Sequence, residues 1–373
     1  MKIAWFGHRA SERGDGLITY SREITEGLRT RGKEVVFFYH GSKEERREGD
    51  QGLEIELSSL SMFHRSIFSS PGAKKLIENT LSEERVDIAH ASLSFSLLDF
   101  SLPDLCHDMN IPIVATFHFP FDRRFSLWAS GSRALYLLYV MALSKYDVVI
   151  IFSQGQKELL EGYGVPTHLL RVIPNGVDVE IYSPGPSNYK EEIGAELLIA
   201  YCGRIDPEKN VNSLLKVFQE MELPASHKLV IVGEGTDYQK LRDRYENQSN
   251  IIFTGLIADK AQYVRILRAA DIFVLPSEVE GLSLAMLEAM ACGLATIATD
   301  VGCDGEVLAG AGILLEPKNL ETQLNLALHL LIDYPDFRQV LGRRARQRVV
   351  EEYSLETNID RVVEVYQELL KGA

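Results

Sequence analysis

The 373-residue chain reads as α/β, two doubly wound parallel-sheet domains in series, and three observations predict this. Short, β-branched apolar runs recur along its length, and patterns with helical periodicity separate them. The series is broken once, by a segment that suits neither helix nor strand. Parallel strands covered by helices are buried on both faces, so their runs are continuously apolar rather than alternating.

The first series is Ile3–Phe6, Val35–Tyr39, Ile88–His90, Ile113–Thr116, Val148–Phe152 and Leu170–Ile173. The second is Leu197–Cys202, Lys228–Val232, Ile251–Thr254, Ile272–Leu275 and Ala295–Ala298. Thr19–Arg31, Val211–Met221 and Leu284–Ala291 are among the helical patterns between them. Ser183-Pro184-Gly185-Pro186-Ser187 is the break, which gives domains of 1–184 and 185–354. A last helical segment, Leu355–Leu370, adds no strand. The length suits two domains. Ligands of open parallel sheets bind beyond the strands' carboxyl ends, so two sheets facing across a cleft would set the site between domains.

The 46% apolar and 25% charged residues exclude disordered and fibrous classes, and the net charge of −14 argues against a nucleic-acid partner. Met1–Phe6 is a strand running into a glycine loop, without the pattern of a secretory leader. No apolar run approaches the roughly 18 residues of a membrane span. The expectation is a cytoplasmic protein whose membrane contact, if any, is peripheral. Cys106, Cys202, Cys292 and Cys303 form no C-x-x-C pair and read as reduced core thiols. No D-x-D pair occurs, so no metal is expected.

Two glycine patterns mislead. Gly27-x-x-x-x-Gly32-Lys33 follows a helix and precedes a strand, the reverse of a phosphate loop, and Glu34 replaces its hydroxyl residue. Gly233 and Gly235 lack the third glycine of a dinucleotide fingerprint.

Four segments carry chemistry. Gly14-Asp15-Gly16 follows the first strand and opens a helix, where backbone amides favour anions; a plain βα loop explains it equally. Gly203-Arg204-Ile205-Asp206-Pro207-Glu208-Lys209-Asn210 sets a guanidinium and an ammonium at a strand's carboxyl end, a pairing that suits a diphosphate. In Pro276–Gly293, Glu280 stands in the loop after a strand and Glu288 two turns into the helix that follows, eight residues and about 12 Å further along the axis. The amides of Gly281, Leu282 and Ser283 form that helix's N-terminus, and Glu288, set in an apolar run, needs a partner. His118 lies just past a strand end and reads alone as a hydrogen-bonded loop histidine; His90 reads as structural.

Gly203-Arg204 with Glu208-Lys209-Asn210, the E-x7-E array Glu280…Glu288, Ile173-Pro174-Asn175-Gly176-Val177-Asp178 and the Gly14/Gly16 loop together resemble glycosyltransferase family 4. The resemblance covers essentially the whole chain. It implies retaining enzymes of GT-B architecture with a nucleotide-sugar donor, and a C-terminal helix, here within 355–373, packed back on the N-terminal domain. Residue by residue it implies Arg204 and Lys209 on the diphosphate, Glu288 on the ribose, and Glu280 with the amides of Gly281–Ser283 on the hexose. Gly16 would approach the phosphates, and His118 would lie near the transferred sugar. The family's double glycine after Asp300-Val301 reads Gly302-Cys303, a departure confined to that loop.

Within the family the likeness is greatest to cyanobacterial digalactosyldiacylglycerol synthases, thylakoid galactolipid enzymes, through Ile88–Leu93, Leu102-Pro103, Ile150–Glu158 and Glu280–Leu284. That implies UDP-galactose as donor and monogalactosyldiacylglycerol as acceptor. Basic and aromatic residues interleave in Met62–Lys75, with Phe63, Arg65 and Phe68, and in Pro120–Lys145, with Arg123, Arg124 and Trp128. Such surfaces are drawn to anionic membranes, although a solvated helix face with core aromatics has the same composition. Other hexosyl or sulfoquinovosyl transfers, a soluble acceptor, and a non-catalytic sugar-nucleotide binder remain alternatives.

Overall fold

The computed structural model describes residues 1–8, 16–49, 52–62, 66–93, 96–119 and 137–372. Among them the chain divides into two compact units, one of residues 1–119, 137–175 and 356–372, the other of 176–355.

The first unit is built on β1 (Lys2–Gly7), β2 (Glu34–Gly41), β3 (Glu45–Gly49), β4 (Gly52–Met62), β5 (Ser66–Ser69), β6 (Ile88–Ser92), β7 (Ile113–Thr116), β8 (Val148–Ile151) and β9 (Leu170–Val172). Their order is β3-β4-β2-β1-β6-β7-β8-β9, with β5 paired to β4. All pairs are parallel except β3 and β5, each antiparallel to β4. The order reverses between β1 and β6, which makes that gap the topological switch point. The unit's helices are α1 (Gly16–Thr30), α2 (Pro71–Glu83), α3 (Leu98–Asp108), a helix through residues 137–143 (α4) and α5 (Gln154–Gly162).

Strands β3, β4 and β5 depart from the sequence expectation of six. On β4, Ile55 and Leu57 are buried between polar neighbours, a period-2 pattern that a search for unbroken apolar runs passes over. Gly32, in the false phosphate loop, has φ +69 and ends α1, its N–H donating to the Arg29 carbonyl at 2.9 Å.

The second unit holds β10 (Leu197–Cys202), β11 (His227–Val232), β12 (Ile251–Gly255), β13 (Ile272–Leu275), β14 (Ala295–Thr299) and β15 (Ile313–Leu315), in the order β12-β11-β10-β13-β14-β15, all parallel. Its switch point is the gap between β10 and β13. β15, three residues long, is one strand more than the sequence suggested. The helices are α6 (Tyr189–Ile193), α7 (Val211–Glu220), α8 (Tyr238–Tyr245), α9 (Lys260–Ala269), α10 (Leu284–Ala291), α11 (Asp304–Leu308), α12 (Leu320–Asp333) and α13 (Pro335–Glu352). Every residue of β10, β13 and β14 is buried, as two-sided helix cover requires.

The last helix, α14 (Leu355–Gly372), packs within the first unit. A Cβ at Gly27 of α1 would stand 2.1 Å from Ile359 Cδ1, so the glycine makes the notch that Ile359 fills. Arg31 pairs with Asp360 at 2.5 Å.

The compact units divide after Asn175, nine residues before the boundary read from the proline-rich break. Backbone pairing explains the difference. Val177 N–H donates to the Tyr353 carbonyl and Leu355 N–H to the Val177 carbonyl, both at 2.9 Å. Arg346 donates to the carbonyls of Val179 and Tyr182, and Arg268 to that of Ser183. The break is thereby pinned to the second unit. Among the described residues no helix is long and apolar enough to cross a membrane.

Candidate functional site

The loops after β10 and β13, on either side of the second unit's switch point, hold most of the charged residues singled out above. After β10 the chain turns at Gly203, and the buried Tyr201 hydroxyl donates to the Arg204 carbonyl at 2.5 Å. The Arg204 guanidinium, 55% exposed, donates to Asp206 at 2.6 Å and Glu208 at 3.3 Å. Burial alone would raise the Asp206 carboxyl, but the Thr236 N–H and hydroxyl, with Arg204 and Lys209, hold it below its usual value. Arg204 is thus oriented by the Asp206 and Glu208 side chains while it stays 55% exposed.

Gly233 and Gly235 make this loop possible. A Cβ at Gly233, whose φ is +130, would stand 2.0 Å from the Gly203 carbonyl oxygen. One at Gly235 would stand 2.5 Å from the Ile205 backbone. The failed fingerprint is a packing surface for the arginine loop.

On the β13 side, Lys209 Nζ and the Ser277 hydroxyl both donate to Glu280 Oε1, at 2.6 and 2.7 Å. The two charged side chains are only 13% and 10% exposed. Glu278 N–H donates to the Glu208 carbonyl at 2.8 Å and ties the two loops together. The structure therefore unites Lys209 with Glu280 and keeps Arg204 within its own loop. Removing one partner of a pair this sheltered strands the other's charge, at a cost of up to about 3 kcal/mol.

Helix α10 begins at Leu284, so Glu280 precedes it and the axial estimate of 12 Å does not apply. Ser283 is the N-cap, its hydroxyl accepting from Met286 N–H. Its own N–H donates to Asp304 Oδ1 at 2.9 Å, so of the three amides expected to face a ligand that one is already engaged. Glu288 has its partner in the Tyr263 hydroxyl, at 2.7 Å. Burial, then nearby Cys202 and Glu288, push the Tyr263 phenol far up, so it stays a donor.

In the first unit, His118 Nε2 lies 2.9 Å from the Ser92 hydroxyl, which ends β6. The His118 ring meets Tyr20 edge-on at 4.7 Å and packs against Phe152. Burial, then His8 and His90, hold its pKa well below the usual value, so it is neutral at pH 7. His90 is structural: fully buried, stacked on Trp5, and bonded to Tyr366 at 2.5 Å and Thr116 at 2.7 Å. Thr116 in turn meets the Tyr20 hydroxyl at 3.0 Å. Gly16 is the first residue of α1, and a Cβ there would meet nothing within 4 Å, so no packing demands the glycine.

Gly14, Phe63, Arg65, Arg123, Arg124 and Trp128 lie outside the described residues. Phe68 falls on β5, opposite Leu60. Among the described residues no group of three or more His, Cys, Asp or Glu could hold a metal ion. Thr236, Tyr263 and Asp304 escaped the sequence reading because each is brought to the site from elsewhere in the chain, and Ser277, three residues before Glu280, escaped because a lone loop serine gives no signal.

Two family descriptions match the chain: Glycosyltransferase Family 4 over residues 14–181, and Glycosyl transferases group 1 over 188–348. A glycogen synthase of Mycobacterium tuberculosis is 28% identical over 360 residues, 94% of this chain and 83% of that one. Among solved structures, a sucrose-phosphate synthase from Thermosynechococcus elongatus superposes with a TM-score of 0.82 at 20% identity, covering 100% of both chains. The Anabaena protein HepE in complex with UDP gives 0.78 at 16% identity, covering 99% of this chain and 100% of that one. The two parallel-sheet α/β units, the arginine–lysine loop, the E-x7-E array and these matches make the chain a family-4-like glycosyltransferase of the GT-B fold class.

Proposed function

We propose that the protein transfers galactose from UDP-galactose to monogalactosyldiacylglycerol with retention of configuration, forming digalactosyldiacylglycerol. The observation that carries the transferase reading is the convergence of Arg204, Lys209 and the α10 N-terminus at the switch point between β10 and β13. Arg204 presents an oriented guanidinium to a diphosphate. Lys209 has three N–H donors, so it can keep Glu280 and still reach a phosphate oxygen. Glu280, fixed by Lys209 and Ser277, orients the hexose with the amides of Gly281 and Leu282. Glu288 accepts from a ribose hydroxyl, backed by Tyr263. The bound UDP of the Anabaena protein supports a uridine nucleotide, and Gly203 offers backbone to the phosphates.

In this reading the acceptor hydroxyl attacks on the face the diphosphate leaves. The anomeric carbon–phosphate oxygen bond breaks, the new glycosidic bond forms on the same side, and a departing phosphate oxygen takes the hydroxyl proton. Arg204, Lys209 and the helix N-terminus stabilise the charge that develops on the diphosphate. His118, neutral at pH 7, can hydrogen-bond a hydroxyl without adding charge.

The lipid acceptor, with a cytoplasmic and peripherally membrane-bound location, rests on the galactolipid-synthase likeness and on an apolar surface. Leu137, Leu138 and Met141 on α4 are 50%, 57% and 74% exposed, adjoining the basic, aromatic segment 120–136. The glycogen synthase match favours a second reading, a soluble saccharide acceptor. Purified protein with labelled UDP-galactose and liposomes of monogalactosyldiacylglycerol, resolved by thin-layer chromatography beside UDP-glucose and acceptor-free lanes, tests both. A labelled α-linked digalactolipid is expected. Donor hydrolysis without lipid product discards the lipid reading, and no turnover of any donor leaves a non-catalytic binder.

A further inference from the structure

Asp304, the first residue of α11, is completely buried. Its Oδ1 accepts the Ser283 N–H, yet Oδ2 has no hydrogen-bond partner. An ionised carboxylate does not persist in such a place with one oxygen unpaired, whereas a carboxylic acid does. The surrounding backbone fixes it firmly. Asp304 N–H donates to the Val301 carbonyl, and Cys303 N–H donates to the Gly281 carbonyl at 2.7 Å. Gly302, with φ +56, lies so close that a Cβ there would stand 2.1 Å from the Glu280 carbonyl oxygen. Segment 301–304 is the floor on which loop 280–283 rests.

The charged groups facing Asp304 are Glu280, from the loop after β13, and Lys209, from the loop before α7. Asp300 lies against Gly305, one residue along. Lys209 is already committed to Glu280, so a second negative charge at Asp304 would compete for the same ammonium.

Resting on the reading of this loop as the donor site, we propose that Asp304 is a positioning residue, a carboxylic acid kept protonated so that it holds the Ser283 amide without drawing Lys209 from Glu280. Burial, then Glu280, push the Asp304 carboxyl far above its usual value, in agreement with the geometry. Ionising it at high pH loosens the Lys209–Glu280 pair, and nucleotide affinity falls.

The test compares wild type with Asp304→Asn, which keeps the acceptor oxygen and cannot ionise. UDP affinity by calorimetry and melting temperature are measured in the same buffers from pH 6 to 9.5. Wild type is expected to lose at least threefold in UDP affinity toward the alkaline end. Asp304→Asn is expected to bind UDP within twofold of wild type at pH 6.5, to lose that alkaline decline, and to melt at or above wild type at pH 8. A wild-type profile that is flat, or that Asp304→Asn reproduces, overturns the proposal. So does an Asp304→Asn protein that melts well below wild type at neutral pH, because the ionised form is then the one required. A wild type that binds no UDP at any pH overturns the donor-site reading and this proposal with it, an outcome distinct from the others.

Discussion

In the second unit the loops beyond the strands carry ionised side chains in close array: Arg204 with Asp206 and Glu208, and Lys209 with Glu280. The first unit instead carries polar groups that are neutral at pH 7: His118, just past β7, against Ser92 at the end of β6, and a buried chain of Tyr366 on α14, His90 on β6, Thr116 on β7 and Tyr20 on α1. Both units place these groups near the switch point of a parallel sheet, so topology alone does not decide the chemistry. Residue type does. Fixed charges suit a place where charge builds up, and neutral hydrogen-bonding groups suit one that must stay uncharged.

The largest effect expected from this contrast is at Lys209. Lys209→Ala should lower kcat/KM about 100- to 1,000-fold, as loss of a charge-stabilising donor does, and lower the melting temperature as well because Glu280 is left unpaired. Steady-state kinetics with thermal melts check this. Near-wild-type turnover would place the reacting diphosphate elsewhere.

Acid sensitivity should differ next. Burial holds His90 down to about pKa 3, and burial with neighbouring histidines holds His118 well below normal. A neutral buried histidine stays unprotonated on the folded side while the unfolded chain takes up a proton below about pH 6.5. Stability is therefore full above that pH and falls as pH drops, by about 1.4 kcal/mol per unit for each such histidine until its folded pKa is reached. In the second unit, Asp206 has a lowered pKa and weakens the fold only below the usual carboxylate range, whereas Asp304, raised, has the opposite sign. The first unit should loosen first between pH 6 and 4. Trp5 stacks 4.2 Å from His90, so its emission in a Trp128→Phe background reports the first unit alone. A transition coincident with global loss of far-ultraviolet dichroism would erase the distinction.

The smallest effect is at Tyr366. Tyr366→Phe removes the hydroxyl from His90 and should cost about 1–2 kcal/mol of stability while leaving UDP affinity unchanged, measured by denaturant unfolding and calorimetry. A weakened UDP complex would mean that the neutral chain reaches the charged site.

Much of this was legible in sequence, for identifiable reasons. Buried parallel strands announce themselves as apolar runs, and Arg204, Lys209, Glu280 and Glu288 fall in loops and a helix whose neighbours fix their place. The amphipathic strand β4 was not legible as a run, because Ile55 and Leu57 alternate with Glu54, Glu56 and Ser58. Nor was the pairing of Lys209 with Glu280, 71 positions apart, or of Tyr263 with Glu288 across two helices. Those contacts are made by the fold, and no local pattern records them. The domain boundary misled for a related reason: Pro184 and Pro186 look like a linker, while Arg268 and Arg346 anchor the segment from far along the chain.

The interruption of the first unit by the second bears on how the protein is made. The ribosome emits the sheet of the first unit by Asn175, but the unit resumes only at Glu356, within its closing helix α14. The intervening 180 residues take on the order of 10 to 40 s to synthesise. Throughout that interval the notch at Gly27 has no Ile359 and His90 no Tyr366. The second unit, continuous in sequence, can mature meanwhile. The nascent first unit should therefore be the species that chaperones hold and proteases find, and shortening the chain even by its last helix should damage the half of the molecule made first.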